Sequence, residues 1–404
     1  MTEKNKTESR KIKKRLLALN ISKILPVAIG LYLLFSLLSI SLSQIFLAIS
    51  LLLWLILLFK KKRNLLIPSF LWPLMAYAVL SLISAFLSVN PEISLKDNRE
   101  LLLFLIVPIV YTGFQKANTL IKANLALLVS AYISILYSLF YFFFKASAGE
   151  RITGFMGHYM TQAGLLLLFS SMAMSMFLFT RHKIRFLWGL ALLLGLFALT
   201  LTQTRSCWIG IVVASLVILL LYNPRTLIIV PVAISLFLIF SPQHIKKRAF
   251  SIFGLRISSN VLRIQYAKAG LKIIKDFPLF GSGPDTVDMV FKNPKYELSE
   301  EAKRNVHLHN NFLQIAAERG IPTLLSWLTF IIWTFISLIR LLRNKGPTLF
   351  PYSAAALAVL LALIVAGFFE YNFADSEIST LFLYLITIPF ALERIEKQKS
   401  VKFI

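Results

Sequence analysis

Two histidines that flank a leucine, His307 and His309, stand directly before Asn310 in a chain with only five histidines. Positions two apart cannot share one face of a helix, so both rings could bind a metal only from an extended chain. No Cys, Asp or Glu-x-x-His companion stands at a metal-like spacing. Both histidines could also cap a helix or bond the backbone. Because an imidazole titrates near neutral pH, His309 is a candidate general base, and Asn310 could orient it or cap the helix.

A helix is predicted upstream of this pair, in the sequence SSNVLRIQYAKAGLKIIKDFP, with Ser259 or Asn260 as its N-cap and Pro278 beyond its end. One face of the predicted helix carries cations that are typical of a stripe in contact with water or lipid headgroups. These cations are Lys268, Lys272 and Lys275.

Arg263 stands apart from that stripe, on the face with small and apolar residues at positions 267, 270 and 274. An arginine that faces the protein interior needs an anionic partner. The partner could be a structural carboxylate such as Asp285 or Asp375. It could instead be a phosphate group, whose paired oxygens suit the guanidinium fork better than they suit lysine.

A tight turn is predicted at Gly281-Ser282-Gly283-Pro284, between this helix and the histidines. The turn lacks the Lys-Ser/Thr of a P-loop, so it does not indicate nucleotide binding. The following sequence, NVHLHNNFLQIAAERGIP, predicts a second helix that begins near His309 and ends at Gly320, with Pro322 just after.

The elements that position these residues must lie in a membrane, because 57% of the residues are hydrophobic and only 15% are charged. Stretches of roughly 20 apolar residues, enough to cross the hydrocarbon layer, recur along the chain. The sequence therefore predicts an all-α polytopic fold with about twelve spans. They lie near 24–41, 43–59, 69–88, 101–114, 120–144, 159–180, 186–202, 207–222, 226–241, 321–342, 350–369 and 378–392.

The first two spans are expected to form a hairpin around Ser41-Leu42-Ser43-Gln44, because one helix over 24–59 would be far longer than a bilayer is thick. The basic start of the chain resembles the first part of a signal peptide. The apolar run that follows is too long for one, so the first segment is expected to stay as an anchor.

Lys and Arg lie mainly on one side of the predicted spans, as in 60–63, 181–185 and 340–345. By the positive-inside rule, the tails 1–23 and 393–404 are cytoplasmic, and spans one to nine occupy 24–242. A basic loop, 243–320, lies outside before the last three spans in 321–392. Contact with anionic lipid and binding of an anionic substrate explain its charge equally well, and nucleic acid is not expected.

The predicted spans contain no ionisable residue near a midplane, which argues against an ion-coupled transporter. Polar residues instead collect at the outer ends of the spans, on the same side as the long loop. They are Arg151, His158, Gln203, Arg205 and the segment 370–377.

These motifs, in this order and on one face, resemble the O-antigen ligase and polymerase family. The resemblance lies in four features: His-x-His-Asn followed by Phe-Leu-Gln and Glu-Arg-Gly, the segment from Arg151 to His158, Thr204-Arg205-Ser206, and Arg263 with the Gly-Ser-Gly turn. It implies an inner-membrane GT-C glycosyltransferase with a periplasmic active site. Such an enzyme moves a glycan from undecaprenyl diphosphate to a hydroxyl group, in ligases one of lipid A core, without cofactor or metal.

Carried over by residue, the resemblance gives Arg205 and Arg263 the diphosphate leaving group and gives His309 the acceptor hydroxyl. His307, Asn310, Arg151 and Gln203 are expected to contribute to substrate binding. A polysaccharide polymerase and a protein O-oligosaccharyltransferase are the related alternatives. A non-enzymatic lipid or polysaccharide exporter is the alternative from another class, and its translocation would survive loss of His309.

Overall fold

The structure, a computed structural model, describes residues 21–60, 64–147, 149–254 and 258–401. Within these ranges the regular elements are helices, and no strand occurs. We number the helices in chain order: α1 Ile21–Phe35, α2 Ile40–Phe59, α3 Leu71–Phe86, α4 Pro91–Asp97, α5 Ile106–Gly113, α6 Ala117–Phe144, α7 Tyr159–Phe179, α8 Arg185–Leu201, α9 Arg205–Tyr222, α10 Ile229–Phe240, α11 Gln243–Phe250, α12 Ser258–Asp276, α13 Val287–Val290, α14 Asn311–Arg319, α15 Ile321–Leu341, α16 Leu349–Ala366 and α17 Ser376–Val401.

Seven of these helices are long and apolar enough to cross a membrane: α2, α6, α7, α9, α15, α16 and most of α17. Four shorter apolar stretches, α1, α3, α8 and Pro224–Phe240, accompany them. The chain is therefore a polytopic helical membrane protein, as its composition predicts. The expected span near 101–114 is not one helix but a 3₁₀ segment, Asn98–Leu105, followed by the short α5. The total of twelve stays a prediction.

The break between α1 and α2 lies earlier than the sequence suggests. The predicted turn residues, 41–44, already form the first turn of α2. Two serines explain the position of the break, because each bonds nearby backbone. The hydroxyl of Ser36 donates to the carbonyl of Leu33 at 2.8 Å, and Ser39 caps α2 by accepting from the N–H of Leu42. The predicted hairpin is thus shifted by about one helical turn.

The centre of the molecule consists of α7, α16 and α17, whose apolar stretches are 78%, 78% and 94% buried. Small residues let these helices approach closely, as they do in membrane helix pairs generally. A Cβ added to Gly210 of α9, for example, would lie 3.0 Å from the carbonyl oxygen of Ala362 in α16. Helix α7 also packs against α8 and α9.

The segment from α12 to α14 has its own small hydrophobic core, built around Tyr266, Ile273 and Phe291. A Cβ on Gly270 would lie 3.0 Å from the side chain of Leu308, so the small residue lets α12 pack against the histidine segment. The predicted helix at the histidines begins at Asn311 and ends before Gly320, as expected.

The predicted Gly-Ser-Gly turn is present and closes the C-terminal end of α14. The N–H groups of Ser282 and Gly283 donate to the carbonyls of Ala317 and Glu318, which the helix itself leaves unpaired. Gly281 has φ +69°, and a Cβ there would lie 2.2 Å from the backbone of Glu318. Glycine is required because the two backbones touch. The turn therefore fixes the C-terminal end of α14, which is the end away from the histidines.

Candidate functional site

The histidine segment is attached to the loop between α16 and α17 by backbone and amide hydrogen bonds. The N–H of Asn311 donates to the carbonyl of Gly367 at 2.8 Å, and its side chain bonds Asn372 at 2.7 Å. Asn310 caps α14 by accepting from the N–H of Leu313, and its amide donates to the carbonyl of Phe368. Asn310 is thus the helix cap, one of its three expected roles. These bonds bring residues about 60 positions apart into fixed register.

This register places Glu370 against His309. Nδ1 of His309 lies 2.9 Å from Oε1 and 3.1 Å from Oε2 of Glu370. Burial alone would raise the pKa of Glu370, but the hydrogen bond from His309 and the charge of Arg263 help to lower it overall. An ionised carboxylate can only accept, so Nδ1 carries the proton and Nε2 is left as the basic nitrogen.

His309 also has a strained backbone. Its φ is +51°, in the left-handed region that non-glycine residues seldom occupy. The neighbouring chain holds this conformation, since the N–H of Leu308 donates to the Gln314 side chain at 2.6 Å and Asn305 donates to the carbonyl of His307. Strain of this kind is often found at functional sites.

His307 lies near the same carboxylate, with Nε2 3.9 Å from Oε1 of Glu370. Burial is the main reason that the pKa of His307 falls to about 4, although Glu370 acts in the opposite direction. The imidazole of His307 is therefore neutral at neutral pH. Its ring packs edge-on against that of His309, with 4.2 Å between the centroids.

Arg205 begins α9 and is held entirely by neutral groups. Its guanidinium donates to the carbonyl and hydroxyl oxygens of Ser251 at 2.8 and 2.9 Å, and to Ser259 and Asn260 at 3.1 and 3.0 Å. Ser259 and Asn260 were expected to cap α12, but the helix already includes both, and their side chains bind the arginine instead. Among the described residues, no carboxylate pairs with Arg205.

Arg263 lies one turn further along α12 and lines the same cavity as Arg205. This basic cavity, of about 310 Å³, is lined by Arg205, Arg263, His309 and Asn310, with Ile209, Ile264, Leu313 and Phe368 among its apolar walls. The proposed structural ion pair of Arg263 with Asp285 or Asp375 does not form, because both carboxylates line a different cavity. Two arginines without a carboxylate partner thus face a space with an apolar side, which suits an anionic amphiphile.

Two of the expected binding residues support this region without lining the cavity. Arg151 stacks on the ring of Tyr159 at 4.4 Å, and the Gln203 amide donates to the carbonyl of Gly149. The carbonyl of Gln203 accepts from Nε of Arg248 at 3.2 Å. Burial, followed by repulsion from Arg151 and Arg205, lowers the pKa of Arg248 to about 10. Arg248 is a further cation beside the site that the sequence did not single out.

A second cavity, of about 450 Å³, adjoins the first and is lined by acidic groups. We call it the acidic cavity; its lining includes Asp97, Glu100, Asp285, Glu318, Glu370 and Asp375, with His158 and His307. Ser206 lines both cavities, and the contact of His309 with Glu370 lies between them. His307 therefore belongs to the acidic cavity and His309 to the basic one.

Behind the acidic cavity, Arg319 at the end of α14 forms a buried ionic network. It contacts Asp97 at 2.6 Å and Glu318 at 3.2 Å, and donates to Tyr371 and to Ser81. Burial raises the pKa of Glu318 to about 8 in spite of its arginine neighbour. This network ties α3 and α4 to the wall of the site.

Comparison with known protein families gives a match that includes the arginines and the histidine of the basic cavity. Residues 190–328 match the O-antigen ligase family. The resemblance seen in the motifs is thereby confirmed at the level of the family. A comparison with curated proteins gives no match.

The O-antigen ligase match contains Arg205, Arg263, His309 and the Gly-Ser-Gly turn, whereas Arg151 and Glu370 lie outside it. Glu370 is the main site residue that the sequence did not assign, although its position among the polar residues at the outer end of a span was a signal. Glu370 also supplies the missing companion for a metal pair. Ligand atoms of His307, His309 and Glu370 lie within 4.8 Å of one another.

Proposed function

We propose that this protein transfers a glycan from undecaprenyl diphosphate to a hydroxyl group of lipid A core, on the periplasmic face of the bacterial inner membrane. The observation that carries the proposal is the basic cavity, where the His309–Glu370 pair adjoins two arginines that have no carboxylate partner among the described residues. The match to the O-antigen ligase family supports a transferase that acts on lipid-linked glycans.

In this proposal Arg205 and Arg263 bind the diphosphate of the donor. As the bond between the anomeric carbon and the diphosphate oxygen breaks, that oxygen gains negative charge. Four neutral hydrogen-bond acceptors fix the guanidinium of Arg205 without neutralising it. Its charge therefore remains to stabilise the leaving group, and catalysis needs no metal for that purpose. The apolar wall suits the first isoprene units of the donor.

His309 acts as the general base. Glu370 holds the proton on Nδ1, so Nε2 accepts the proton of the acceptor hydroxyl while its oxygen attacks the anomeric carbon. The diphosphate leaves with the electron pair of the broken bond. We assign the acceptor hydroxyl to the part of the basic cavity beside His309, where Ser206 joins it to the acidic cavity.

The orientation belongs to the same proposal. The basic tails 1–23 and 393–404 lie in the cytoplasm, and the segment 243–320 lies in the periplasm. Undecaprenyl-diphosphate-linked glycans would then reach the basic cavity from the outer leaflet. The basic residues of this segment suit anionic lipid headgroups as well as the donor.

The test is transfer by the purified protein in liposomes that contain undecaprenyl-diphosphate glycan. Rough lipopolysaccharide is supplied as acceptor, and the product is resolved by gel mobility and mass. Transfer to lipid A core is the expected result. Extension of the lipid-linked chain without the acceptor would show a polymerase, and labelling of an added pilin-like protein would show a protein O-oligosaccharyltransferase. Absence of transfer to lipid A core would overturn the ligase assignment.

A further inference from the structure

Three potential metal ligands meet at the boundary between the two cavities. They are Nδ1 of His309, Nε2 of His307 and a carboxylate oxygen of Glu370. Two imidazoles and one carboxylate form a ligand set that binds zinc in many proteins, where three protein ligands leave a fourth position open. The chain separation between these residues explains why no sequence motif revealed the set.

The distances suit a transition-metal ion. In a tetrahedral zinc site, ligand atoms about 2.1 Å from the metal lie about 3.4 Å from one another. Oε1 of Glu370 lies 2.9 Å from the His309 nitrogen and 3.9 Å from the His307 nitrogen. The first distance is shorter than that spacing and the second is longer. The ligand nitrogens of the two histidines lie within 4.8 Å of each other. Side-chain rotations that bring them closer by about 1 Å would bring all three ligands to the ion.

A cation can also reach the site. His307 and Glu370 line the acidic cavity, and the ionised carboxylate of Glu370 attracts divalent ions. The side chain of His307 is 27% exposed and that of Glu370 is 11% exposed. The strained backbone at His309 and the hydrogen bonds around it hold two of the three ligands in place before an ion arrives, which lowers the entropic cost of binding.

We propose that His307, His309 and Glu370 bind a transition-metal ion of the Zn²⁺ class, and that the bound ion inhibits the protein. Inhibition rests on the proposed function. The metal–nitrogen bond needs the lone pair of Nδ1 of His309, so the proton on Nδ1 moves through solvent to Nε2. The ring stays neutral, but Nε2 then carries a proton and cannot accept one from the acceptor hydroxyl. At His307 the proton moves from Nε2 to Nδ1, which gives up only a 3.4 Å contact with the N–H of His309.

Binding is measured first, on the full-length protein in detergent without a polyhistidine tag. Co²⁺ serves as a spectroscopic probe, and Zn²⁺ is titrated against it. Wild type should bind one ion per chain, and His307→Ala should bind at least about tenfold more weakly. His244→Ala is the matched control, because His244 is exposed on α11, far along the chain from the three ligands. Equal binding by all three proteins, or binding by none, overturns the site.

Inhibition is measured second, as the ratio of transfer rates with and without saturating Zn²⁺ for each protein. Zn²⁺ should lower the transfer rate of wild type and of His244→Ala at least about tenfold, and a chelator should restore it. For His307→Ala the ratio should stay near one. An unchanged wild-type ratio with the site filled overturns the inhibition. Failure of binding with normal transfer removes the metal site alone, whereas metal binding without any transfer activity removes the proposed function alone.

Discussion

Nδ1 of His309 lies 2.9 Å from Oε1 of Glu370, a residue 61 positions further along the chain. The contact joins the start of α14 to the loop after α16, and the hydrogen bonds of Asn311 with Gly367 and Asn372 maintain it. The orientation of the imidazole therefore depends on a loop in another part of the sequence. In the proposed mechanism, that orientation decides which ring nitrogen is basic.

Glu370→Gln is expected to lower the rate of glycan transfer by about 10²- to 10⁴-fold, because an amide does not hold the proton on Nδ1 as a carboxylate does. The KM for the lipid-linked donor should change little, since Glu370 does not line the basic cavity. Glu300→Gln, at an exposed carboxylate in the segment 243–320, is the control. Steady-state kinetics of both variants make the comparison; a full transfer rate in Glu370→Gln would contradict the positioning role.

Arg263→Ala should lower mainly the rate of transfer, and Arg319→Ala should lower mainly the free energy of unfolding. Arg263 forms no ion pair among the described residues, so its loss should change the free energy of unfolding by about 0.5 kcal/mol or less while lowering transfer about 10²-fold. Loss of Arg319 leaves the buried Glu318 and the half-buried Asp97 without their partner and should cost about 3 kcal/mol.

Thermal unfolding in detergent, measured together with donor binding, tests this contrast. Strong destabilisation by Arg263→Ala would show that this arginine has a structural partner after all. An unchanged unfolding midpoint in Arg319→Ala would contradict the structural importance of the buried network.

Gly281→Ala should destabilise the protein by about 2 kcal/mol or more, because the added Cβ would overlap the backbone of Glu318. Gly157→Ala is a matched control: Gly157 has φ +71°, close to the +69° of Gly281, but an added Cβ there meets nothing within 4 Å. The difference between their unfolding midpoints isolates the close backbone contact from the cost of the left-handed conformation. Equal midpoints would mean that the close backbone contact between Gly281 and Glu318 adds nothing to the cost of the substitution.

Glu318→Gln should stabilise the protein in alkaline solution. The pKa of Glu318 is raised to about 8 by burial, from about 4.5 when unfolded, so wild-type stability is full below pH 4.5 and falls as the pH rises through 8. Gln resembles the protonated acid and does not titrate. The free energies of unfolding of the two proteins should agree at pH 5 and differ by about 1–3 kcal/mol at pH 9. A wild type that is the more stable protein at pH 9 would refute the raised pKa.

The membrane fold, the helix around Arg263, the Gly-Ser-Gly turn and the end of α14 at Gly320 could be predicted, because hydrophobic period and glycine or proline positions act locally. The helical wheel also placed Arg263 on the face that turns toward the site. The break before α2 was misplaced, since two serine side chains decide it and the apolar run there is continuous. The helix predicted over 101–114 was too long for a similar reason, because composition does not distinguish a 3₁₀ segment from an α-helix.

The arrangement around Glu370 could not be predicted from local sequence. The bonds from Asn311 to Gly367 and Asn372 are tertiary, and no periodicity links α14 to the loop after α16. The roles of Ser259 and Asn260 were mistaken because a helix N-terminus and a guanidinium select the same side chains. Which residues share a cavity also depends on packing, and this packing places His307 in the acidic cavity and His309 in the basic one.

The most direct test of the proposed transferase is single-turnover transfer by His309→Gln in liposomes that contain labelled undecaprenyl-diphosphate glycan and rough lipopolysaccharide. Wild type should move the label to lipid A core and release undecaprenyl diphosphate. His309→Gln should bind the donor as wild type does but react at least about 10²-fold more slowly. Transfer by His309→Gln at the wild-type rate would contradict the assignment of His309 as the general base.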